Sequence, residues 1–330
     1  MLILTKSVLA LMIGFLLSAV LGLILIPVLK KFKVGQRISV YLANTHQKKA
    51  GTPTMGGIIF ILATLISVII LFLLDKLDFS YNILIVLFVL ISYALIGFID
   101  DYLSIKRNNN VGLTEIQKIL GQLLVAIIFF FLYMRGGGTP IVEIYTLNIR
   151  IDMGFLYGFF ILLVLLSSAN AVNITDGLDG LATGLSAIAY LTFGLIAWGA
   201  GWVAGYEEMA IVSFILVGAL LGFLIYNSYP AKVIMGDTGS LALGATLGTI
   251  AIITGHELTL IVVAGVFVIE TLTVIMQIIS VKLNNKKIFL MTPLHHHFEK
   301  LGWHENDIVK LFWVVGFILG MAGIAFGVWI

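Results

Sequence analysis

Five aspartates sit in short polar motifs of a chain that is otherwise mostly apolar, and aspartate is a residue that handles hard cations and phosphoryl groups. Asp100 and Asp101 are adjacent at the end of an apolar run, where the negative end of a helix dipole disfavours carboxylates. They read either as a solvated helix end paired with Lys106 or Arg107, or as a cation or phosphate-handling site. Asn170, Asn173, Asp176 and Asp179 follow at steps of three, with Gly177 and Gly180 directly after the two aspartates. That spacing suggests a broken helix start able to approach a ligand, although a single aspartate there could serve as a plain N-cap. Asp237 lies in Gly236-Asp-Thr-Gly-Ser240, where capping of the next helix and metal binding are both open, and where Gly236 leaves room for a phosphate against backbone N–H groups. His295, His296 and His297 could bond phosphate oxygens and orient acids; a surface run or an adventitious metal site is the plainer reading. Lys48 and Lys49 precede a glycine-rich entry, Gly51 to Gly57, that contains Thr54. Lys118 and Gln277 are individually snorkelling or packing residues and together a lining. Glu270, deep in an apolar run, suits an interhelical hydrogen bond. With no Walker A loop and no GxGxxG, phosphate must be held by other means, and this donor set suits Mg²⁺ with a diphosphate.

The elements that must position these groups are transmembrane helices. The 330 residues are 60% hydrophobic and 11% charged, and their mean hydropathy is +1.12, outside the range of soluble domains. Zero cysteines exclude a disulfide framework and thiol chemistry. Ten apolar runs are long enough to span, roughly 7-29, 54-74, 81-99, 116-134, 154-170, 178-198, 208-226, 238-254, 258-281 and 308-329. The expectation is an all-α integral membrane protein forming one polytopic domain over 1-330. Short strands of alternating polarity are not evident, which disposes of an outer-membrane barrel. Gly244/Gly248 and Gly316/Gly320 read as helix-packing pairs. Of the 19 Lys and Arg residues, 15 fall on the loops after odd-numbered runs and 4 on the other face. The positive-inside rule then puts both termini in the periplasm and every polar motif at the cytoplasmic boundary, where one soluble and one lipid reactant meet.

Together, Gly51-Thr-Pro-Thr-Met-Gly-Gly57, Asp100-Asp101, Asn170 to Gly180, Gly236 to Ser240 and Pro293-Leu-His-His-His-Phe-Glu299 resemble the motifs of the bacterial phospho-N-acetylmuramoyl-pentapeptide transferases, or translocase I. The aspartate motifs are shared with the wider polyprenyl-phosphate N-acetylhexosamine-1-phosphate transferase superfamily; the histidine segment points to the muramoyl-pentapeptide branch. The resemblance covers essentially the whole chain. It implies Mg²⁺-dependent transfer of phospho-MurNAc-pentapeptide from UDP-MurNAc-pentapeptide to undecaprenyl phosphate, giving lipid I and UMP in peptidoglycan synthesis at the bacterial inner membrane. It also implies catalytic roles for Asp100, Asp101 and Asp237, the last as Mg²⁺ ligand, with His295, His296 and His297 nearby. Substrate contacts would carry over to Lys49, Thr54, Lys118, Asn170, Asn173, Asp176, Asp179, Asn227, Gly236 and Gln277. A homodimer and inhibition by nucleoside antibiotics are implied as well, and no nucleic acid partner.

Two chemical schemes follow from such a site, direct attack by the lipid phosphate or a covalent phospho-aspartate intermediate. A UDP-GlcNAc-dependent transferase is the alternative within the enzyme class, and a secondary transporter the alternative outside it; a transporter would place its coupling residues near the bilayer midplane. The charge count makes a direct prediction about sidedness, and the lack of native cysteines makes labelling clean. A cysteine at Asn285 is expected to resist an impermeant thiol reagent in intact cells, while one at Gly137 reacts; the reverse pattern would invert the topology.

Overall fold

The computed structural model describes residues 3–31, 51–107, 112–199 and 206–329. Its helices are α1 (Ile3–Lys31), α2 (Gly57–Leu73), α3 (Tyr81–Lys106), α4 (Glu115–Arg135), α5 (Leu156–Thr175), α6 (Leu181–Gly199), α7 (Tyr206–Asn227), α8 (Gly236–Ile253), α9 (Glu257–Val263), α10 (Gly265–Asn284), α11 (Leu294–Lys300) and α12 (Glu305–Ile324). Among the described residues nine helices are long and apolar enough to cross a membrane: α1, α3 to α8, α10 and α12. This is an all-α membrane protein, as a bilayer that offers no hydrogen bonds to a stray backbone demands.

Four local features depart from the expectation. The run 54-74 yields only the 17 residues of α2, ~25 Å of helix, because its first residues are spent on an extended segment. The run 258-281 divides at Ala264, whose φ of −90° and ψ of 20° leave helical geometry just before Gly265. Helix α3 continues to Lys106, so Asp100 and Asp101 lie more than a turn inside it. Between α4 and α5 a hairpin pairs β1 (Ile141–Ile144) with β2 (Ile149–Asp152), Ile141 opposite Asp152, through a turn with Asn148 at φ 51°. The absence of strands was therefore wrong for this segment. Its cross-strand pair, Arg150 Nε to Glu143 Oε1 at 2.9 Å, helps fix the register.

Helix α8 is enclosed by its neighbours along almost its whole length, whereas α1, α4 and α10 turn broad apolar faces outward. Its sequence, GDTGSLALGATLGTIAII, explains why: small residues let backbones approach closely, and packing of this kind holds helices together in lipid. Gly244 and Gly248 receive α5 at Ser168, and Gly316 and Gly320 of α12 receive α6 at Leu185 and Thr192. The head of α8 is tighter still. A Cβ on Gly57 would lie 2.3 Å from Gly239 Cα, and one on Gly97 would lie 2.1 Å from the carbonyl oxygen of Asp237. Both obstacles are backbone and cannot rotate away. Gly97→Ala should therefore lower stability by about 1–3 kcal/mol through overpacking. The check is apparent melting temperature in detergent, with Gly121→Ala as control: there the nearest atom is Ile96 Cδ1 at 3.4 Å, an ordinary contact, and no loss is expected.

Candidate active site

At one end of the bundle α3, α4, α5 and α8 bring four polar side chains together. Lys118 Nζ stands 2.5 Å from Asp237 Oδ2 and 3.2 Å from Asp100 Oδ1. The other oxygen of Asp237 accepts from Asn173 Nδ2 at 2.8 Å, and the same amide donates to Ser240 Oγ at 2.9 Å. Asp100 Oδ1 also accepts from the backbone N–H of Leu113 at 2.9 Å. Lys118 is placed in the first turn of α4 by a capping box, Thr114 with Gln117, that starts the helix immediately before it. The side chains of Lys118, Asp100 and Asp237 are 20%, 13% and 24% exposed, open enough to meet a reactant.

Asp101 does something different from its neighbour. Consecutive helical residues point ~100° apart, and Asp101 is turned toward the start of α8. Its Oδ2 accepts from Thr238 Oγ1 at 2.6 Å and from the Thr238 N–H at 3.0 Å; its Oδ1 accepts from the Asp237 N–H at 3.3 Å. It is buried, and the helix it meets offers the positive end of its dipole. The cap of α8 thus comes from another helix. Asp237 does not cap it, since the N-cap position is Met235 and no side chain bonds there locally. Two N–H groups that might have received a phosphate are already taken. Gly236, at φ 73°, lets the chain turn into α8 beneath Thr54 and Asp101; a Cβ there would fall 2.6 Å from Asp101 Oδ2 and 2.8 Å from Thr54 Oγ1. Pro53 to Gly57 runs alongside Ile234 and Met235 through backbone bonds of 2.8–2.9 Å, which places Thr54 at the site's floor.

The remaining expected residues divide by what they bond. Asn170 lies one turn deeper in α5 and donates to Gln122 Oε1 at 2.7 Å. Asp176 follows the end of α5, half-buried, and Asp179 Oδ2 accepts from the Ala231 N–H at 2.9 Å. Asn227 is consumed internally, accepting from Thr183 Oγ1 and donating to the Val233 carbonyl. Gln277 clamps the loop after α10 through the backbone of Ile288 and Phe289. His295 bonds Glu270, His296 Nδ1 lies 2.6 Å from Glu299, and His297 Nδ1 accepts from the Leu290 N–H. Lys49 lies outside the described residues.

Thr238, Ser240 and Glu299 lie inside the motifs quoted from the sequence, though without assigned partners, whereas Gln122 and Glu305 were missed. Gln122 carried a local signal, standing four residues after Lys118 on the same face of α4.

Among the described residues no group of three or more His, Asp or Glu is arranged to hold a metal ion. The donor set nonetheless fits a divalent cation of the kind that takes one or two carboxylates and fills its shell from substrate. Three carboxylates, Asp100, Asp101 and Asp237, are gathered here against one lysine, and a single ammonium already bridges two of them.

A family model described as "Glycosyl transferase family 4" matches residues 83–255, and a "Phospho-N-acetylmuramoyl-pentapeptide-transferase signature 1" matches residues 49–61. The chain is 45% identical over 323 residues to the phospho-N-acetylmuramoyl-pentapeptide-transferase of a Geobacillus species, covering 98% of each chain. It is 44% identical over 319 residues to that of Bacillus subtilis, covering 97% of each, and 46% identical over 323 residues to that of Halalkalibacterium halodurans, covering 98% of each. Identity of this extent, spanning every element that builds the site, means that the chain belongs to the phospho-N-acetylmuramoyl-pentapeptide-transferase family.

Proposed function

We propose that this protein transfers phospho-MurNAc-pentapeptide from UDP-MurNAc-pentapeptide to undecaprenyl phosphate, releasing UMP and forming lipid I. The observation that carries the reading is the Lys118 bridge between Asp100 and Asp237 at the end of a bundle whose outer faces are apolar. A phosphoryl transfer needs alignment and charge neutralisation more than covalent help. The charge count supports a cytoplasmic position for the site, in a multi-pass protein of the bacterial inner membrane.

Mg²⁺, when bound, would be held by Asp237 with Asp100 as second carboxylate and would neutralise the diphosphate. Asn173 fixes the rotamer of Asp237 by bonding the oxygen that Lys118 leaves free. Lys118 supplies a positive charge that can follow a phosphate oxygen, because an ammonium on a four-carbon stem is mobile. Asp101 ties α3 to the head of α8 and so holds Asp100 and Asp237 at a fixed separation.

This arrangement favours direct attack by the lipid phosphate. Asp101 is buried with both oxygens engaged, and Asp100 is paired with Lys118 and a backbone N–H. Asp101 is therefore not a free nucleophile, and the ammonium beside Asp100 lowers the reactivity of its carboxylate. The acceptor needs little activation, since a phosphate monoester has a second pKa of ~6 and is largely dianionic at neutral pH.

Asp237→Asn should keep the fold and the Asn173 contact region while removing ligand charge. Turnover, read as UMP release with both substrates and Mg²⁺, is expected to fall at least about a hundredfold, ~2.7 kcal/mol of transition-state stabilisation. The apparent melting temperature should stay close to that of the parent; full activity would remove Asp237 from the metal site. The one-step scheme is tested separately. Enzyme stripped of undecaprenyl phosphate to well below one per chain should neither exchange labelled UMP into UDP-MurNAc-pentapeptide nor give a burst of UMP. Exchange at a rate comparable to turnover, or a lipid-independent phospho-aspartate, would establish the covalent route instead.

A further inference from the structure

The histidine run begins with His295, a fully buried polar side chain, and the bonds around it assign a task. Glu270 of α10 is fully buried in an apolar helix. Its carboxylate accepts from the Leu294 N–H at 2.6 Å and the His295 N–H at 3.2 Å, and His295 Nδ1 lies 3.2 Å from Oε1. Nδ1 is thus the ring nitrogen that faces Glu270, and Nε2 is the one that faces away from it. That nitrogen has no hydrogen-bond partner, and the His295 side chain is 1% exposed. A substrate cannot reach it as it stands, whereas a proton-transferring group must come within hydrogen-bond distance of its reactant.

The ring edge instead rests on the chain between α5 and α6. A Cβ on Gly177 would lie 2.3 Å from His295 Nε2, 3.0 Å from Cε1 and 3.2 Å from Cδ2. Gly177 is not among the residues with positive φ, so its backbone would accept alanine, and the three atoms nearest to an added methyl group all belong to the imidazole. The same turn is held from two other sides: Glu305 Oε1 accepts from the Asp179 N–H at 2.7 Å, and Asp179 Oδ2 accepts from the Ala231 N–H. Upstream of it, Asn173 grips Asp237.

We infer that Glu270 and His295 are positioning residues that set the Asp176–Asp179 turn for the nucleotide substrate, and are not reacting groups; this rests on the transferase reading. Glu270 anchors the start of α11 and orients the imidazole, and the imidazole buttresses Gly177.

The test is a size exchange. Asparagine at 295 preserves a donor near the Nδ1 position but withdraws the ring edge, and alanine at 177 places a methyl group in the space that edge filled. Gly177→Ala, His295→Asn, their double variant and Glu270→Gln are compared with the parent for kcat, for KM toward UDP-MurNAc-pentapeptide and for apparent melting temperature. Each single change is expected to raise KM about tenfold or more with kcat within about threefold, and the double variant to return KM to within about threefold of the parent. A hundredfold loss of kcat in His295→Asn at unchanged KM, with no recovery in the double variant, would overturn the inference and make His295 a reacting group. Should the parent protein release no UMP from these substrates, the transferase reading fails. The buttress is then judged by melting temperature, lowered in both singles and restored in the double if it exists, and not restored if it does not.

Discussion

Gathering carboxylates at the edge of a low-dielectric bundle sets the terms for everything around them. Asp100, Asp101 and Asp237 repel one another and lose water on burial, and each needs a compensating partner. Asp101 finds it in the backbone and hydroxyl at the head of α8, where the helix dipole adds its share. Asp100 and Asp237 find it jointly in Lys118. The demand reaches outward from there: α4 must begin just before Lys118, hence the capping box, and α8 must bring its first turn against α2 and α3, hence glycine at 57 and 97.

How much of this could be read from the residues differs by feature. The spanning helices were legible because lipid enforces long apolar runs. The hairpin at 141–152 was missed because two four-residue strands with mixed charges look like any loop until they pair. The break at Ala264 was hidden inside a run that stays apolar on both sides. Of the acids, amides and lysines that the residue types singled out, the structure brings Asp100, Lys118, Asn173 and Asp237 into contact at one end. What could not be read was the partition of labour, since the bonds that decide it join residues more than a hundred positions apart, such as Asp101 with Thr238 and Lys118 with Asp237. Adjacent aspartates look alike in a sequence, and only the ~100° between them on a helix separates a clamp from a ligand.

The same partition runs through the other polar motifs. Asn227, Gln277 and His297 each bond backbone groups of loops close to them in sequence, and so fix the shape of the walls. Polar residues confined near a membrane boundary tend to be taken for reactive ones, yet irregular backbone at that depth must have its own hydrogen bonds met by something. Side chains with that duty are as necessary to the site as those that meet substrate. They differ in consequence: loss of a wall bond displaces several groups at once, whereas loss of a single ligand charge leaves the geometry and removes one interaction.

The centre is rigid in all but one of its parts. Asp101 is locked to backbone, Asp237 by Asn173, and Asp100 by the Leu113 N–H, so the acids are preorganised and need not reorient as charge develops on phosphorus. Lys118 is the exception, because its two ion pairs can be given up without breaking any backbone bond. A diphosphate accompanied by a divalent cation offers both things that such a transfer requires: a cation to take over the carboxylates and anionic oxygens to receive the ammonium. In the transferase reading the lysine would hold the acids together between turnovers and would be free to pair with an anionic substrate. This accounts for a strong ion pair at a place where the chemistry calls for carboxylates free to bind metal.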